Sequence, residues 1–400
     1  MENQSTVNKW VVLIILFLNV MFGFGGMNVI APLSSEIDAD IGITLAQIGA
    51  TVAFFTLASP VFSPIGGVLT DRYGARWVLF FAGLVLAVAG SARFFVTGPN
   101  QLIALMFIAG LGFACVGPVI PKALSTVFPA AEFGKANGIV FSAFWVGSTL
   151  AFSLSTKVLS PFFGGWRETT VAIGVCSAVS AVAWLFVFRD ATETEETAAK
   201  EQGDNGAEQG SGLATFLRIL KIKDILRLSF FYSLCIAALF SILSLLPRVL
   251  EDRGLEQPGM LAALLTGAMV AFNILGGMLS DRFGRVPVLV VSALVFGLTM
   301  PALLTFSGPL LMLSLLIAGA AAGPIIPVST AIPVEMPSIG PALAGTALGV
   351  LFMIGNLGGF FGPIIAGWVI DTTASPWPAF LLIMAMAWAA PLLLRGVKTR

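Results

Sequence analysis

Twelve apolar stretches, each about 20 residues long, run through this chain, more than any water-soluble core of this size would bury. A helix needs about 20 apolar residues to cross the hydrocarbon layer of a bilayer, because it rises 1.5 Å per residue. The stretches fall at approximately 10–32, 45–69, 78–97, 101–127, 136–158, 169–188, 224–247, 259–279, 287–306, 309–331, 342–368 and 377–394. With 57% of its 400 residues hydrophobic and a mean hydropathy of +0.97, the chain places most of its apolar surface against lipid. The expected fold is an all-α membrane protein of twelve transmembrane helices.

Several classes of chemistry are poorly supplied. Net charge is zero and histidine is absent, so there is no basic surface for nucleic acid, no imidazole ligand and no Ser-His-Asp triad. Cys115, Cys176 and Cys235 lie far apart inside apolar runs, which indicates neither a disulfide framework nor a metal site. No catalytic residue, metal or cofactor is expected, and the chain does not read as an enzyme. Only Lys9 precedes the first apolar run, without a small-residue cleavage pattern, so that run is expected to be a retained helix.

The segment "RDATETEETAAKEQGDNGAEQGSG" (189–212) has no apolar periodicity and reads as a linker. It divides the spans six and six. After it, Arg218, Lys221, Lys223 and Arg227 interleave with apolar residues, as in an interfacial helix. The expected organisation is a six-helix bundle over 1–188, a linker with interfacial helix over 189–223, and a second six-helix bundle over 224–400. Sixteen of the 21 Lys and Arg residues fall on the side of the N-terminus. By the positive-inside rule this predicts a cell-membrane protein with both termini cytoplasmic.

A repeat organises the two halves. "GGVLTDRYGARW" (66–77) recurs as "GGMLSDRFGRVP" (276–287), and "GPVIP" (117–121) recurs as "GPIIP" (323–327). Pro32 with Glu36, and Pro247 with Glu251, are expected to close spans one and seven in parallel. Secondary transporters are commonly built from such repeats, with the substrate near the midplane between them. These motifs resemble the signature loops of the major facilitator superfamily, Gly67-x-x-x-Asp71-Arg72-x-Gly74-x-Arg76 and Gly277-x-x-x-Asp281-Arg282-x-Gly284-Arg285, and the resemblance covers nearly the whole chain. It implies two pseudo-symmetric six-helix bundles and transport by alternating access.

The glycines at 66, 67, 276 and 277 would let helices approach, and Gly74 and Gly284 would turn the backbone at positive φ. Asp71 and Asp281 would accept hydrogen bonds near helix ends. Arg72, Arg76, Arg282 and Arg285 would pair with Glu132 and Glu335 to hold the cytoplasmic side closed. The alternative is that these charges are topology signals, worth under about 1 kcal/mol per exposed pair.

Intramembrane ionisable residues point to substrate sites, and here no Asp or Glu falls in the core of a span. Lys122 is the exception, an amine that would attract an anion if it faces the cavity and would only snorkel if it lies at the lipid boundary. Arg93 and Lys157 are expected to anchor the outer surface, and Arg248 could draw anions to the outer mouth. Asn19, Asn28, Tyr232, Asn273 and Asn356 are the uncharged candidates, with interhelical hydrogen bonding as their other role. Trp145 is an aromatic wall or a packing residue.

"GPVIPKALSTVFPAAEFGKANGI" and "GGWRETT" look like stretches of facilitators of small anions, the nitrate/nitrite and cyanate-type porters and organic-anion carriers. The nitrate porters carry paired arginines mid-membrane in spans two and eight, which these spans lack. Span five also lacks the Gly-Pro-x-x-Gly-Gly pattern of drug/proton antiporters. The sequence reading is therefore a monomeric secondary transporter of a small solute, leaning to a small organic or inorganic anion, with a coupling ion left open. Export of a neutral or amphipathic metabolite or drug is the alternative, and a non-transporting sensor on the same frame is the second.

Overall fold

The computed structural model describes residues 8–188, 218–336 and 339–397. Among these residues it is helical, without strands, and twelve helices are long and apolar enough to span a membrane. They are Lys9–Asn28, Leu45–Ser63, Arg72–Phe95, Pro99–Leu124, Ala136–Phe163, Trp166–Val187, Lys223–Asp252, Pro258–Phe283, Arg285–Thr305, Gly308–Pro333, Ala347–Thr373 and Pro376–Leu393, called spans one to twelve below. The linker over 189–212 lies outside the described residues; the expected interfacial helix is described from 218 on, where Arg218 and Ile219 are helical and a turn to Ile222 leads directly into span seven at Lys223.

Two ends differ from the expected pattern. Span one stops at Asn28, its last helical N–H bond running from Val29 to Gly25 O at 3.0 Å, and a turn leads into the short helix Ser34–Ile41. Span seven, by contrast, continues through Pro247 to Asp252. Pro247 therefore does not end span seven as Pro32 ends the region after span one. A membrane helix tolerates an interior proline where packed neighbours satisfy the freed carbonyl.

Spans two and three form one helical run, Leu45–Ala92, broken at Gly74 with φ 80° and ψ 161°. It starts on a capping box, Thr44 Oγ1 accepting from Gln47 N at 3.2 Å while Gln47 Oε1 accepts from Thr44 N at 3.0 Å. Gly284 breaks the chain between spans eight and nine in the same way, at φ 91° and ψ 150°. A Cβ would be strained at both positions. The sequence repeat is thus a backbone repeat. Gly66 and Gly276 sit where neighbouring helices touch, a Cβ on them lying 2.9 Å from Cys115 Cα and 2.8 Å from Pro324 Cα; Gly277 faces open space.

The two halves meet through spans two and eleven and through spans five and eight. Both contacts lie toward the end remote from the two motifs, called here the far end. At Gly49 in span two a Cβ would overlap the carbonyl oxygen of Pro363 in span eleven; at Gly259 in span eight it would overlap that of Phe152 in span five. Gly49 and Gly259 are 210 residues apart, the spacing of the repeated motif, and Phe152 and Pro363 are 211 apart. One contact is made twice, related by the pseudo-two-fold axis between the halves. Phe54 and Phe360 add an edge-to-face pair across it, with ring centroids 5.4 Å apart.

Candidate substrate cavity and its two gates

At the motif end, the charges settle within their own halves. Glu132, in the first turn of the helix Ala130–Leu154, takes Lys9 Nζ at 2.6 Å. The expected pairing of Glu132 with a signature arginine is replaced by Lys9, because the start of span one packs beside the start of that helix and brings Lys9 closest. Arg76 donates Nε to Leu185 O at 2.9 Å, and Trp184 Nε1 returns a bond to Arg76 O at 3.2 Å, tying span three to span six. Arg72 lies over the Tyr73 ring and Arg282 over Phe283. In the second copy Arg285 pairs with Asp281 at 2.6 Å, one helical turn away, and also reaches Ser280 Oγ. The side chains of Asp71 and Glu335 lie outside the described ones.

A polar cluster fastens the far end; it includes Arg248, Glu36 and Glu251 together with Ser35, Asp38 and Asp40, which sequence reading passed over. Arg248, late in span seven, donates Nη1 to Ser35 Oγ at 3.0 Å and Nη2 to Asp38 at 3.0 Å, while its Nε holds Asp252 at 3.2 Å. Ser35 also donates to Glu251, and Ala46 N donates to Asp371 Oδ2 at 2.9 Å. The helix Ser34–Ile41 is held from the other side as well: Ser160 Oγ donates to Glu36 at 2.6 Å, and Trp166 Nε1 and Arg167 Nε reach Asp40 at 2.9 and 2.8 Å. The bond from Arg167 and then that from Trp166 hold the Asp40 carboxyl below its usual range. Arg248 thus latches the two halves together, in place of the free guanidinium expected at the mouth. Where both partners are described, every hydrogen bond and ion pair joining the halves lies at the far end or in the far half.

The substrate candidates separate by half. Asn19 donates to Ile15 O at 2.9 Å and Ser180 O at 3.1 Å, joining spans one and six. Asn28 donates to Phe24 O and Ser148 Oγ, both at 3.0 Å, joining spans one and five. Trp145 is buried, edge-on to Phe24 at 6.0 Å, in a cluster with Phe113 and Phe144. Lys122 donates to Thr70 O at 3.0 Å, at the seam of spans two and four. In the second half Tyr232 is buried against Gly355 and Phe352. Asn273 and Asn356 are half-buried and make no side-chain hydrogen bond among the described residues.

Thr149 and Thr266 were not singled out from sequence. Their hydroxyls bond across the halves at 3.0 Å, where spans five and eight pack together. The repeat was the available signal, since it pairs spans five and eight with eleven and two.

The family model described as Major Facilitator Superfamily matches residues 15–270 and again 255–399. The chain belongs to the major facilitator superfamily. A facilitator from Staphylococcus aureus (strain bovine RF122 / ET3-1), the "probable nitrate transporter NarT", is 27% identical over 380 residues, covering 92% of this chain and 90% of that protein. The NarT of S. aureus strain JH9 matches to the same extent. Among solved facilitator structures, a bacterial homolog to human lysosomal transporter Spinster, in an inward-facing and occupied conformation, superposes with a TM-score of 0.76 at 16% identity, covering 96% of this chain and 94% of that one. The nucleoside transporter NupG superposes with a TM-score of 0.75 at 17% identity, covering 97% and 98%. The chain is a multi-pass membrane transporter of this superfamily.

Proposed function

We propose that this facilitator carries a small anion by alternating access, in a site between the halves that Asn273 and Asn356 line. The end-to-end similarity to NarT supports the anion. The observation that carries the site is the pair of unengaged amides in the second half, set against the spent amides of the first. An amide N–H can hold a monovalent anion without the large desolvation cost of a buried guanidinium. No arginine is needed mid-span in spans two and eight for this mode of recognition. The motif end is the cytoplasmic one, on the count of positive charges, and both termini lie there. With the far-end seam closed, the state is inward-facing.

The remaining sequence-level readings fit this proposal. The first domain ends near 188 and the second begins near 224, so each half moves as a body about the seam. The signature arginines act as a motif-end gate with Asp71, Glu132, Asp281 and Glu335 when that end closes, and Lys9 must then share Glu132. Lys122 serves the seam of spans two and four. The protein works as a monomer in the lipid bilayer and performs no chemical conversion.

Proteoliposome uptake tests the proposal directly. Labelled nitrate, nitrite and formate are expected to exchange, with Asn356→Leu and Asn273→Leu losing exchange while remaining folded. Flux of a neutral metabolite without any anion flux would overturn it in favour of an exporter. Binding without flux of any solute would favour a sensor.

A further inference from the structure

The far-end acids of the first half are not all used alike. Glu36, Asp38 and Asp40 each hold a partner. Glu168, half-buried in the first turn of span six, makes no hydrogen bond or ion pair with any described residue. The arginines nearest it in sequence and fold are committed elsewhere. Arg93, expected at the outer surface, is turned inward, Nη1 donating to Gly26 O at 2.7 Å, and Arg167 gives Nε to Asp40 and Nη1 to Phe94 O. From the Glu168 carboxyl toward the membrane midplane an open groove of about 820 Å³ runs between spans three and six. Val171, Ala172 and Val175 follow Glu168 on one face of span six, so the groove descends about 10 Å along the helix. Phe94 and Phe95, at the end of span three, and Phe163, before span six, form the opposite wall. At its back the two helices touch, a Cβ on Gly174 standing 2.5 Å from Ser91 Oγ. The groove therefore opens outward, past the exposed rings and methyls of Phe95 and Val175, to the lipid.

Its two ends ask for different chemistry in one molecule. An apolar trough on a lipid-facing surface is filled by the apolar chain lying against it, and in a bilayer that is an acyl chain. The carboxylate at its head selects among headgroups, because it stands at the end of a span, where headgroups lie. It repels an anionic lipid, and it attracts an ammonium that carries N–H donors through a charge-assisted hydrogen bond. Beside it Arg167 Nη2 makes no bond among the described residues and can donate to a phosphate oxygen. Adjacent residues thus offer an acceptor to an amine and a donor to a phosphate. We propose that this groove binds one zwitterionic aminophospholipid of the far-end leaflet, its ammonium on Glu168 and an acyl chain along span six. The lipid bridges the ends of spans three and six, which Arg167 already joins through Phe94 O, and leaves the seam between the halves untouched.

The test is native mass spectrometry of the full-length protein, purified in detergent and mixed with equal amounts of phosphatidylethanolamine, phosphatidylcholine and phosphatidylglycerol of identical chains. One phosphatidylethanolamine should be retained about tenfold over either competitor, since the choline head has no N–H donor and the glycerol head no cation. Glu168→Gln should bring phosphatidylethanolamine down to the level of phosphatidylcholine, and Glu168→Lys should turn the preference toward phosphatidylglycerol. Ala172→Phe, which fills the floor of the groove and leaves both headgroup contacts in place, should lose the retained lipid. The wild type alone decides the matter where a variant does not fold: across the mono-, di- and trimethylated forms of the ethanolamine head, retention should fall stepwise as N–H donors are removed. Equal retention of the three lipids, a preference that survives Glu168→Gln, or a lipid still held by Ala172→Phe would each overturn the site. Displacement by glycerophosphoethanolamine, the headgroup without chains, at equal concentration would overturn it as well, since the groove would then contribute nothing.

Discussion

The first and second halves share a backbone and differ in what they do with their polar groups. In the first, Asn19 and Asn28 are consumed by bonds that bind span one to spans six and five. In the second, Asn273 and Asn356 make no side-chain hydrogen bond among the described residues. Gly74 and Gly284 nevertheless hold nearly identical dihedrals, and the Gly49 and Gly259 contacts mirror each other. On the proposed function, a rigid half and a ligand-presenting half would rock about a symmetric seam without rebuilding the site.

The symmetric part of the comparison breaks most visibly at the seam. Gly49→Leu and Gly259→Leu each insert a side chain against a carbonyl that leaves no room, at about 1–3 kcal/mol or more against the closed far end. The balance of states should shift by roughly 5- to 150-fold toward far-end opening, and by similar amounts in the two variants. Labelling of a cysteine at position 35 from the far side measures it, and unequal responses would show that the seam is not functionally symmetric.

The asymmetric part is sharpened by the amides. Asn19→Leu and Asn28→Leu strip buried carbonyl and hydroxyl partners, and should lower stability by about 1–3 kcal/mol while substrate affinity is kept. Asn273→Leu and Asn356→Leu should do the reverse, with anion affinity falling about tenfold at unchanged melting temperature. Melting curves beside ligand titration decide it, and an affinity loss in the first pair would dissolve the contrast.

Smaller effects are expected at the latches. Removing Arg248 by Arg248→Ala deletes partly exposed pairs, each worth about 1 kcal/mol or less, and should make the far end more accessible to label, the more so at low salt. Asp40 has the smallest expected effect. Its carboxyl is held low by Arg167 and Trp166, so its contribution is present above the unfolded carboxylate pKa and is lost as pH falls through the lower folded value. The melting-temperature gap between wild type and Asp40→Asn should therefore be open at neutral pH and close in the acid range; a gap independent of pH would reject the assignment.

Much of the architecture was legible because lipid imposes a length on every span and the motif repeats. Gly74 and Gly284 could be placed at positive φ because they sit in the repeated loop. Gly49 and Gly259 could not be singled out, since "AQIGAT" and "EQPGML" share only a glutamine and the glycine and their role depends on a partner more than 100 residues away. Side-chain orientation was the larger obstacle. In water an apolar stripe shows which helix face is buried; in lipid both faces are apolar, so the sequence around Asn28 or Asn356 does not say whether the amide meets a neighbour or the cavity. Arg93 shows the same difficulty with a charge, because proximity to the end of a span suggested the surface while the side chain turned inward to a carbonyl.

The helix Ser34–Ile41 is tied to the first half by Glu36 and Asp40 and to the second by Ser35 and Asp38. When the far end opens, only the second set must part, and the groups released meet water that replaces their partners at almost equal free energy. The closure is therefore a clasp rather than a weld. Chain continuity with span one gives the clasp its aim, the partly exposed bonds to span seven give it its speed, and the rate at which it lets go should rise with the salt concentration on that side.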